Sequence, residues 1–112
     1  MRQGNVYYSG ILAGRITENE YGYEFKYTKE YLHRDDKQAV SLTLPLREEA
    51  FHSNVLFPFF DGLIPEGWLL NVAERNWKIR RHDRMALLLT CCHDCIGNVS
   101  VEPVELENEE VR

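Results

Sequence analysis

The first quarter of the chain carries short apolar runs separated by turn residues, which is the pattern of an antiparallel sheet. Residues 6–8 and 11–16 are rich in β-branched and aromatic side chains, and the Ser9-Gly10 pair between them predicts a hairpin with a tight turn. Gly14 inside the second run indicates a bulge. Residues 23–27 then alternate aromatic with charged side chains, which predicts a third strand with one buried face.

The middle of the chain is predicted to combine one more extended segment with short helices. One helical turn is predicted over residues 28–32. Residues 40–46 place leucines at alternate positions, which predicts a strand or an extended edge segment interrupted by Pro45. Residues 54–60 are strongly apolar, and Pro58 suits the first turn of a short helix.

The rest of the chain is predicted to contain two further helices and a last strand. Pro65 suits the first turn of a helix that runs to about Trp77, and Asp83 suits the N-cap of a helix over residues 84–92. Residues 99–101 alternate as the final strand. This order of strands, helices and strand predicts an α+β domain with an antiparallel sheet.

Size and charge favour a small binding module over an enzyme. The 112 residues fit one domain, and a hydrophobic content of 44% is sufficient for a packed core. The net charge is −5, but residues 1–101 carry only −1 of it. We therefore expect a folded domain over residues 1–102 and an acidic tail over residues 103–112. Direct binding to nucleic acid is not expected, because it would require a basic face.

The sequence also predicts a cytoplasmic protein without a cofactor. It shows neither a signal peptide nor the run of about 18 apolar residues needed to span a membrane. The three cysteines lie together at positions 91, 92 and 95, too close to one another to staple a fold, which favours a reducing compartment. Because neither a G-x-G-x-x-G nor a G-x-x-x-x-G-K-[ST] motif occurs, we expect no nucleotide site.

Two segments leave chemical alternatives open. Cys92, His93 and Cys95 could support a metal-dependent or thiol-dependent activity, but buried cysteines at the end of a core helix are the favoured interpretation. Residues 75–84 hold five basic side chains around Trp77 and could bind nucleic-acid phosphates. A solvated helix end is favoured there, because Trp77 lies on the apolar face of its predicted helix.

The densest aromatic feature is the segment of residues 57–68, which holds three phenylalanines, two prolines, two glycines and Trp68. Trp68 falls on the polar side of its predicted helix, beside the turn set by Pro65 and Gly67. An exposed tryptophan next to a rigid turn is typical of an anchor at a protein–protein interface. Coverage of Trp68 by a loop of its own chain is the alternative.

The same segment resembles a known family. The run FFDGLIPEG at residues 59–67 is similar to the FFxxLLPEG signature of the N-terminal subdomain of HipA-type serine/threonine kinase toxins. Further similar stretches follow in the family's order: VYYSGILAG at 6–14, FKY at 25–27, SLTLPLR at 41–47 and DCIGNV at 94–99. The resemblance extends from about residue 5 to residue 102. It implies an antiparallel sheet of about five strands, partly barrel-like, with about three packing helices.

The resemblance also implies a non-catalytic toxin–antitoxin component. In HipA proteins this subdomain precedes the kinase core, so a separate copy is similar to the HipS antitoxin of HipBST systems or to the N-terminal part of a split HipA kinase. The implied partners are a separately encoded HipA-like kinase core and a helix-turn-helix repressor of the same operon. No catalytic residue, metal or cofactor is expected. The residues predicted to form or support a partner-binding apolar surface are Phe59, Phe60, Leu63, Pro65, Glu66 and Trp68.

Overall fold

A five-stranded antiparallel sheet organises the protein. The computed structural model describes residues 2–64, 83–92 and 98–104. The sheet has the order β4-β3-β2-β1-β5, and each neighbouring pair is antiparallel. The strands are β1 (Arg2–Tyr8), β2 (Ile11–Asn19), β3 (Gly22–Tyr27), β4 (Phe51–Ser53) and β5 (Val99–Pro103). The described helices are α1 (Lys29–Leu32), α2 (Pro58–Asp61) and α3 (Arg84–Cys91).

This architecture confirms the predicted α+β class, with five antiparallel strands and three short helices. Within the described part of the chain, however, the sheet is open and does not close into a barrel. Strands β4 and β5 lie at its opposite edges. Strand β4 is only three residues long, so it offers little edge for further pairing.

The first hairpin has the predicted tight turn and bulge. Ser9 and Gly10 both have positive φ angles, 50° and 81°, as a two-residue type I′ turn requires. The register places Val6 opposite Gly14 and the next residue of β1 opposite Leu12, so one residue of β2 is left over as a bulge. Beside the bulge, a Cβ atom at Gly14 would lie 2.5 Å from the carbonyl oxygen of Lys26. Glycine is therefore required for the close approach of β2 and β3.

The core lies between one face of the sheet and the helices. Alternate residues of the strands are completely buried on this face, among them Val6, Ile16, Phe25 and Val101. The helix α3 covers them with side chains that have no exposed surface. Those side chains are Met85, Leu87 and Leu88. The period-2 pattern read from the sequence therefore reports which face of the sheet is buried.

The described helices begin at the predicted residue or one residue after it. The hydroxyl oxygen of Thr28 accepts a hydrogen bond from the backbone of Tyr31 and caps α1. Pro58 is the first residue of α2. The carboxylate of Asp83 accepts a hydrogen bond from the backbone N–H of Ala86, at 3.2 Å, and caps α3.

The predicted extended segment at residues 40–46 is wrong. These residues form a loop with a tight turn, in which the backbone N–H of Leu44 donates to the carbonyl of Ser41 at 3.1 Å. The Ser41 hydroxyl also accepts from the backbone of Thr43, so a side chain competes for the groups that a strand would need. Pro45 has no N–H to donate to a sheet. The fourth strand forms instead at Phe51–Ser53.

Several sequence predictions concern parts of the chain that lie outside the described residues. These are the helix from Pro65 to Trp77, the residues 93–97, and residues 105–112 of the acidic tail predicted over 103–112. Within residues 2–64, 83–92 and 98–104, no helix is long and apolar enough to cross a membrane.

Candidate partner-binding surface

The predicted partner-binding residues divide into three sets. Phe59, in the first turn of α2, and Leu63, just after its C-terminal end, are half-buried. Phe60 is completely buried. The remaining three, Pro65, Glu66 and Trp68, lie outside the described residues. The structure therefore brings Phe59 and Leu63 to one surface and places Phe60 beneath it.

Phe60 supports this surface from the core. Its ring centroid lies 5.2 Å from that of Phe59 and 5.4 Å from that of Phe25, which belongs to β3. A third aromatic neighbour, Phe57, lies at 6.2 Å with the two rings nearly perpendicular. Edge-to-face pairs of this kind fix the orientation of each ring. Phe60 therefore holds α2 on the sheet and sets the position of Phe59.

Phe59 and Leu63 line a shallow groove of about 450 Å³. The same groove is lined by Val40 and Leu42 from the loop before β4, and by Tyr8 at the end of β1. None of the described residues that line the groove carries a charge, although 28% of the chain is charged. The described lining, largely apolar and uncharged, suits the burial of apolar side chains and supplies no positive charge for a phosphate.

Two stacked tyrosines hold the loop that contributes Val40 and Leu42 to the groove. The rings of Tyr27 and Tyr31 lie 6.1 Å apart with an angle of 8° between their planes. The Tyr31 hydroxyl donates to the carbonyl of Gln38 at 2.7 Å and accepts from the backbone N–H of the same residue at 3.0 Å. The Tyr27 hydroxyl accepts from the N–H of Val40 at 3.0 Å and donates to the carbonyl of Leu44. The backbone of the loop is thus fixed on both sides of its turn.

Burial also changes the acidity of Tyr27. Burial raises the pKa of Tyr27 above its usual value of 10.0, because the ionised phenolate would lose its hydration. The hydrogen bond from Val40 opposes this rise, since it would stabilise the phenolate. The hydroxyl is therefore protonated at neutral pH and able to donate to the loop.

Polar groups also contribute to the lining of the groove. The Tyr8 hydroxyl donates to the side-chain oxygen of Gln38 at 3.1 Å and accepts from the side-chain amide of Asn98 at 3.4 Å. The backbone of Asn98 also accepts a hydrogen bond from Ser9 at 2.7 Å, which ties the start of β5 to the first hairpin. A combination of apolar side chains with a few hydrogen-bonding groups is the usual composition of a protein–protein contact.

The residues of the two chemical alternatives have structural roles where they are described. Cys92 is buried at the end of α3, and its thiol lies 3.2 Å from the carbonyl oxygen of Leu63. Its burial confirms the favoured interpretation for this cysteine, whereas His93 and Cys95 lie outside the described residues. Of the basic segment, only Arg84 is described, and its side chain donates to the carboxylate of Asp61 at 2.6 Å. This ion pair links α2 to α3.

Sequence reasoning assigned only Phe59 and Leu63 to this surface and missed the other described residues that line the groove, among them Tyr8, Leu42 and Asn98. Leu42 is 99% exposed, although the leucine alternation at residues 40–46 suggested a buried face. The signal that could have identified it is Pro45, which disfavours a strand and therefore frees this leucine from the core. Tyr8 and Asn98 gave no such signal, because they meet only through the pairing of β1 with β5.

Comparisons with known proteins agree with this architecture. A family model described as the HipA N-terminal domain matches residues 4–102. A solved structure titled "N-terminal domain of HipA toxin" superposes with a TM-score of 0.71 at 28% identity, and the alignment covers 95% of each chain.

Two curated proteins are similar to this chain, and the match covers very different shares of their lengths. An uncharacterized protein of Haemophilus influenzae is 31% identical over 102 residues, which is 91% of this chain and 92% of that protein. A Sinorhizobium fredii protein named "Putative kinase Y4mE" is 29% identical over 104 residues, and the match spans only 25% of its length. By family model, by structure and by relatives, this chain belongs to the HipA N-terminal domain family.

Proposed function

We propose that this chain is a non-catalytic module that binds a separately encoded HipA-type kinase core and neutralises it. The observation that carries the proposal is the match of residues 4–102 to the HipA N-terminal domain, which is not the catalytic part of HipA. The Haemophilus relative is matched over 92% of its length, so in that protein a domain of this kind occurs with little else attached. Such a domain acts through what it binds.

The groove supports this proposal because its chemistry suits a protein partner. Its described lining is apolar and uncharged, and Phe59 and Leu63 were predicted from the sequence to meet a partner. The segment that contains Pro65, Glu66 and Trp68 begins directly after Ile64, so the predicted anchor is attached to the groove through a short stretch of chain. We propose that this whole region packs on the kinase core, with Trp68 as its main anchor.

A second candidate is that the chain completes a split kinase instead of inhibiting it. The Sinorhizobium relative favours this reading, because there the matching part is a quarter of one protein whose name describes a kinase. Both candidates require the same contact and differ only in its effect on phosphorylation. A helix-turn-helix repressor of the same operon would be a further partner in either case.

The decisive experiment measures binding and kinase activity together. The kinase-core protein encoded beside this chain is purified, titrated with this chain by calorimetry, and assayed for autophosphorylation with and without it. We expect a complex and lower autophosphorylation, as neutralisation requires. Higher autophosphorylation would support the split kinase. The absence of a complex, or of a neighbouring kinase-core gene, would contradict both candidates.

The anchor assignment is tested by Trp68→Ala. We expect weaker binding to the kinase core by about 2–4 kcal/mol, the cost of removing a buried tryptophan anchor, without loss of folding. Trp77→Ala is the matched control, because Trp77 is predicted on the apolar face of the same helix and its loss should lower stability. Binding and far-UV circular dichroism are measured for both variants. Normal neutralisation by the Trp68 variant would exclude it as the anchor.

A further inference from the structure

Leu42 is exposed in a way that the core does not explain. Its side chain is 99% accessible, whereas the neighbouring apolar residues Val40 and Leu44 are 6% and 2% accessible. Among the described residues, only Tyr21 and Val55 are other large apolar side chains with comparable exposure. Neither of them lines the groove beside α2, and Leu42 does.

The turn that carries Leu42 is fixed before any partner binds. The Tyr27 hydroxyl binds the backbone on both sides of the turn, at Val40 and at Leu44. Inside the turn, the hydroxyls of Ser41 and Thr43 lie 3.0 Å apart and hydrogen bond to each other. A side chain presented on a rigid turn loses little conformational entropy when it is buried in a partner, so more of its burial energy appears as affinity.

Leu42 also continues the surface assigned to the partner. It lines the same groove as Phe59 and Leu63, so a partner that fills the groove over these two residues also meets Leu42. The described lining has no charge, which does not suit nucleic acid, a phosphate or an acidic peptide. The occupant that fits is an apolar protein surface. In the relative whose name describes a kinase, this domain matches 25% of the chain, and the rest of that chain is where such a surface would lie.

We infer that Leu42 is a second, preorganised anchor that inserts into an apolar pocket of the kinase core while the groove beside it is covered. The inference rests on the proposed function for the identity of the partner. It adds a binding residue from a different part of the chain, and it assigns a role to the tyrosine-held turn that the core packing leaves unexplained.

The test compares two exposed aliphatic residues. Leu42→Ala should raise the Kd for the neighbouring kinase-core protein about tenfold or more, because the buried leucine side chain is lost from the interface. Val55→Ala is the matched control, since Val55 is 66% exposed and does not line the groove, and its Kd should stay within about twofold of the unchanged chain. Both variants should unfold at the same urea concentration as the unchanged chain, because neither side chain is buried in the core.

The outcomes separate this inference from the proposed function. Tight binding by the unchanged chain together with equal binding by the Leu42 variant would overturn the anchor role and leave the proposed function standing. Failure of the unchanged chain to bind the kinase core would overturn both. A loss of affinity that is equal in the Leu42 and Val55 variants would also overturn the inference, because it would not depend on the groove.

Discussion

At the scale of single residues, Tyr27 connects the core to the groove. Its ring packs against Phe25 at 4.9 Å in an edge-to-face arrangement, and its hydroxyl reaches the backbone of Val40 and Leu44. A phenylalanine would fill the same space but leave those two backbone groups without their buried partner. The loop therefore requires the hydroxyl of Tyr27, which phenylalanine lacks.

The substitution Tyr27→Phe tests this requirement. At pH 8 we expect the free energy of unfolding to fall by about 1–3 kcal/mol, the cost of buried hydrogen-bonding groups that lose their partner. Urea denaturation of both proteins measures the difference. An unchanged midpoint would show that water replaces the hydroxyl at no cost.

The same variant changes the response to alkaline pH. Burial raises the pKa of Tyr27 in the folded protein, so above about pH 10 the unfolded chain loses its proton first and stability falls as the pH rises. The variant lacks this group and should lose less stability between pH 8 and pH 10.5. Some loss remains, because burial and Glu18 also raise the pKa of Tyr23. Equal losses in both proteins would contradict the assignment to Tyr27.

At the scale of elements, the solvent-facing side of the sheet contains an unfavourable pair. Arg15 of β2 lies directly opposite Lys26 of β3, and both side chains are exposed. Like charges in directly opposed positions destabilise a pair of strands. Arg15 donates a hydrogen bond to the side chain of Asn5, and no ion pair is found for either cation within the described residues.

Reversal of one charge should therefore stabilise the sheet. We expect Lys26→Glu to raise the free energy of unfolding by about 0.2–1 kcal/mol, since it places a carboxylate opposite Arg15. Lys26→Gln is the control that removes the repulsion without adding an attraction, and it should gain less. The gain of the glutamate variant should shrink in 1 M salt, where charges are screened. A gain that does not depend on salt would point to packing instead of charge.

The elements also show what sequence could and could not predict. Pro58 and Asp83 predict helix starts correctly, because the proline ring and a capping carboxylate act through local geometry. The loop with Leu42 and Leu44 was mistaken for an extended segment, because periodicity alone does not reveal a turn that a serine hydroxyl and a distant tyrosine stabilise. Sequence signals that act within a few residues predicted the helix starts reliably. Contacts between residues far apart in the sequence, such as the one that holds this turn, could not be predicted.

At the scale of the whole molecule, Arg2 joins three parts of the chain. Its guanidinium donates to Glu18 of β2 at 2.7 Å and forms two hydrogen bonds with Asp83, at 2.9 and 3.2 Å. The hydrogen bonds to Glu18 and Asp83 raise the pKa of Arg2 further above its usual value, so it stays charged. Because Asp83 also caps α3, one cluster fixes the helix relative to the sheet.

Two variants of Asp83 separate its roles. Asp83→Ala removes both the cap and the ion pair, and we expect a loss of about 1–2 kcal/mol in the free energy of unfolding. Asp83→Asn keeps an oxygen that can cap α3 but removes the charge, so its loss should be smaller, because the ion pair is partly exposed. Thermal and urea unfolding measure both variants. Equal losses would show that the charge matters and the cap does not.

The candidate surface itself was only partly predictable. Phe59 and Leu63 could be identified because the family signature contains them, and the structure adds that Phe60 in the same signature is a core residue. For Leu42 the only signal was Pro45, which disfavours a strand. Tyr8 and Asn98 could not be found, because they are brought together by the pairing of β1 with β5. A surface assembled from distant segments leaves no periodic trace in the sequence.

The position of β5 at the edge beside β1 has a consequence for how the chain folds. Tyr8 and Asn98, which meet at the end of this pair, are 90 positions apart. The first three strands are joined by short turns and can pair early, but closing so long a loop costs more entropy and is slower. During synthesis, the outer edge of β1 stays unpaired until residues 99–103 have left the ribosome. In that interval the nascent chain presents a free β-edge that can pair with other chains and aggregate.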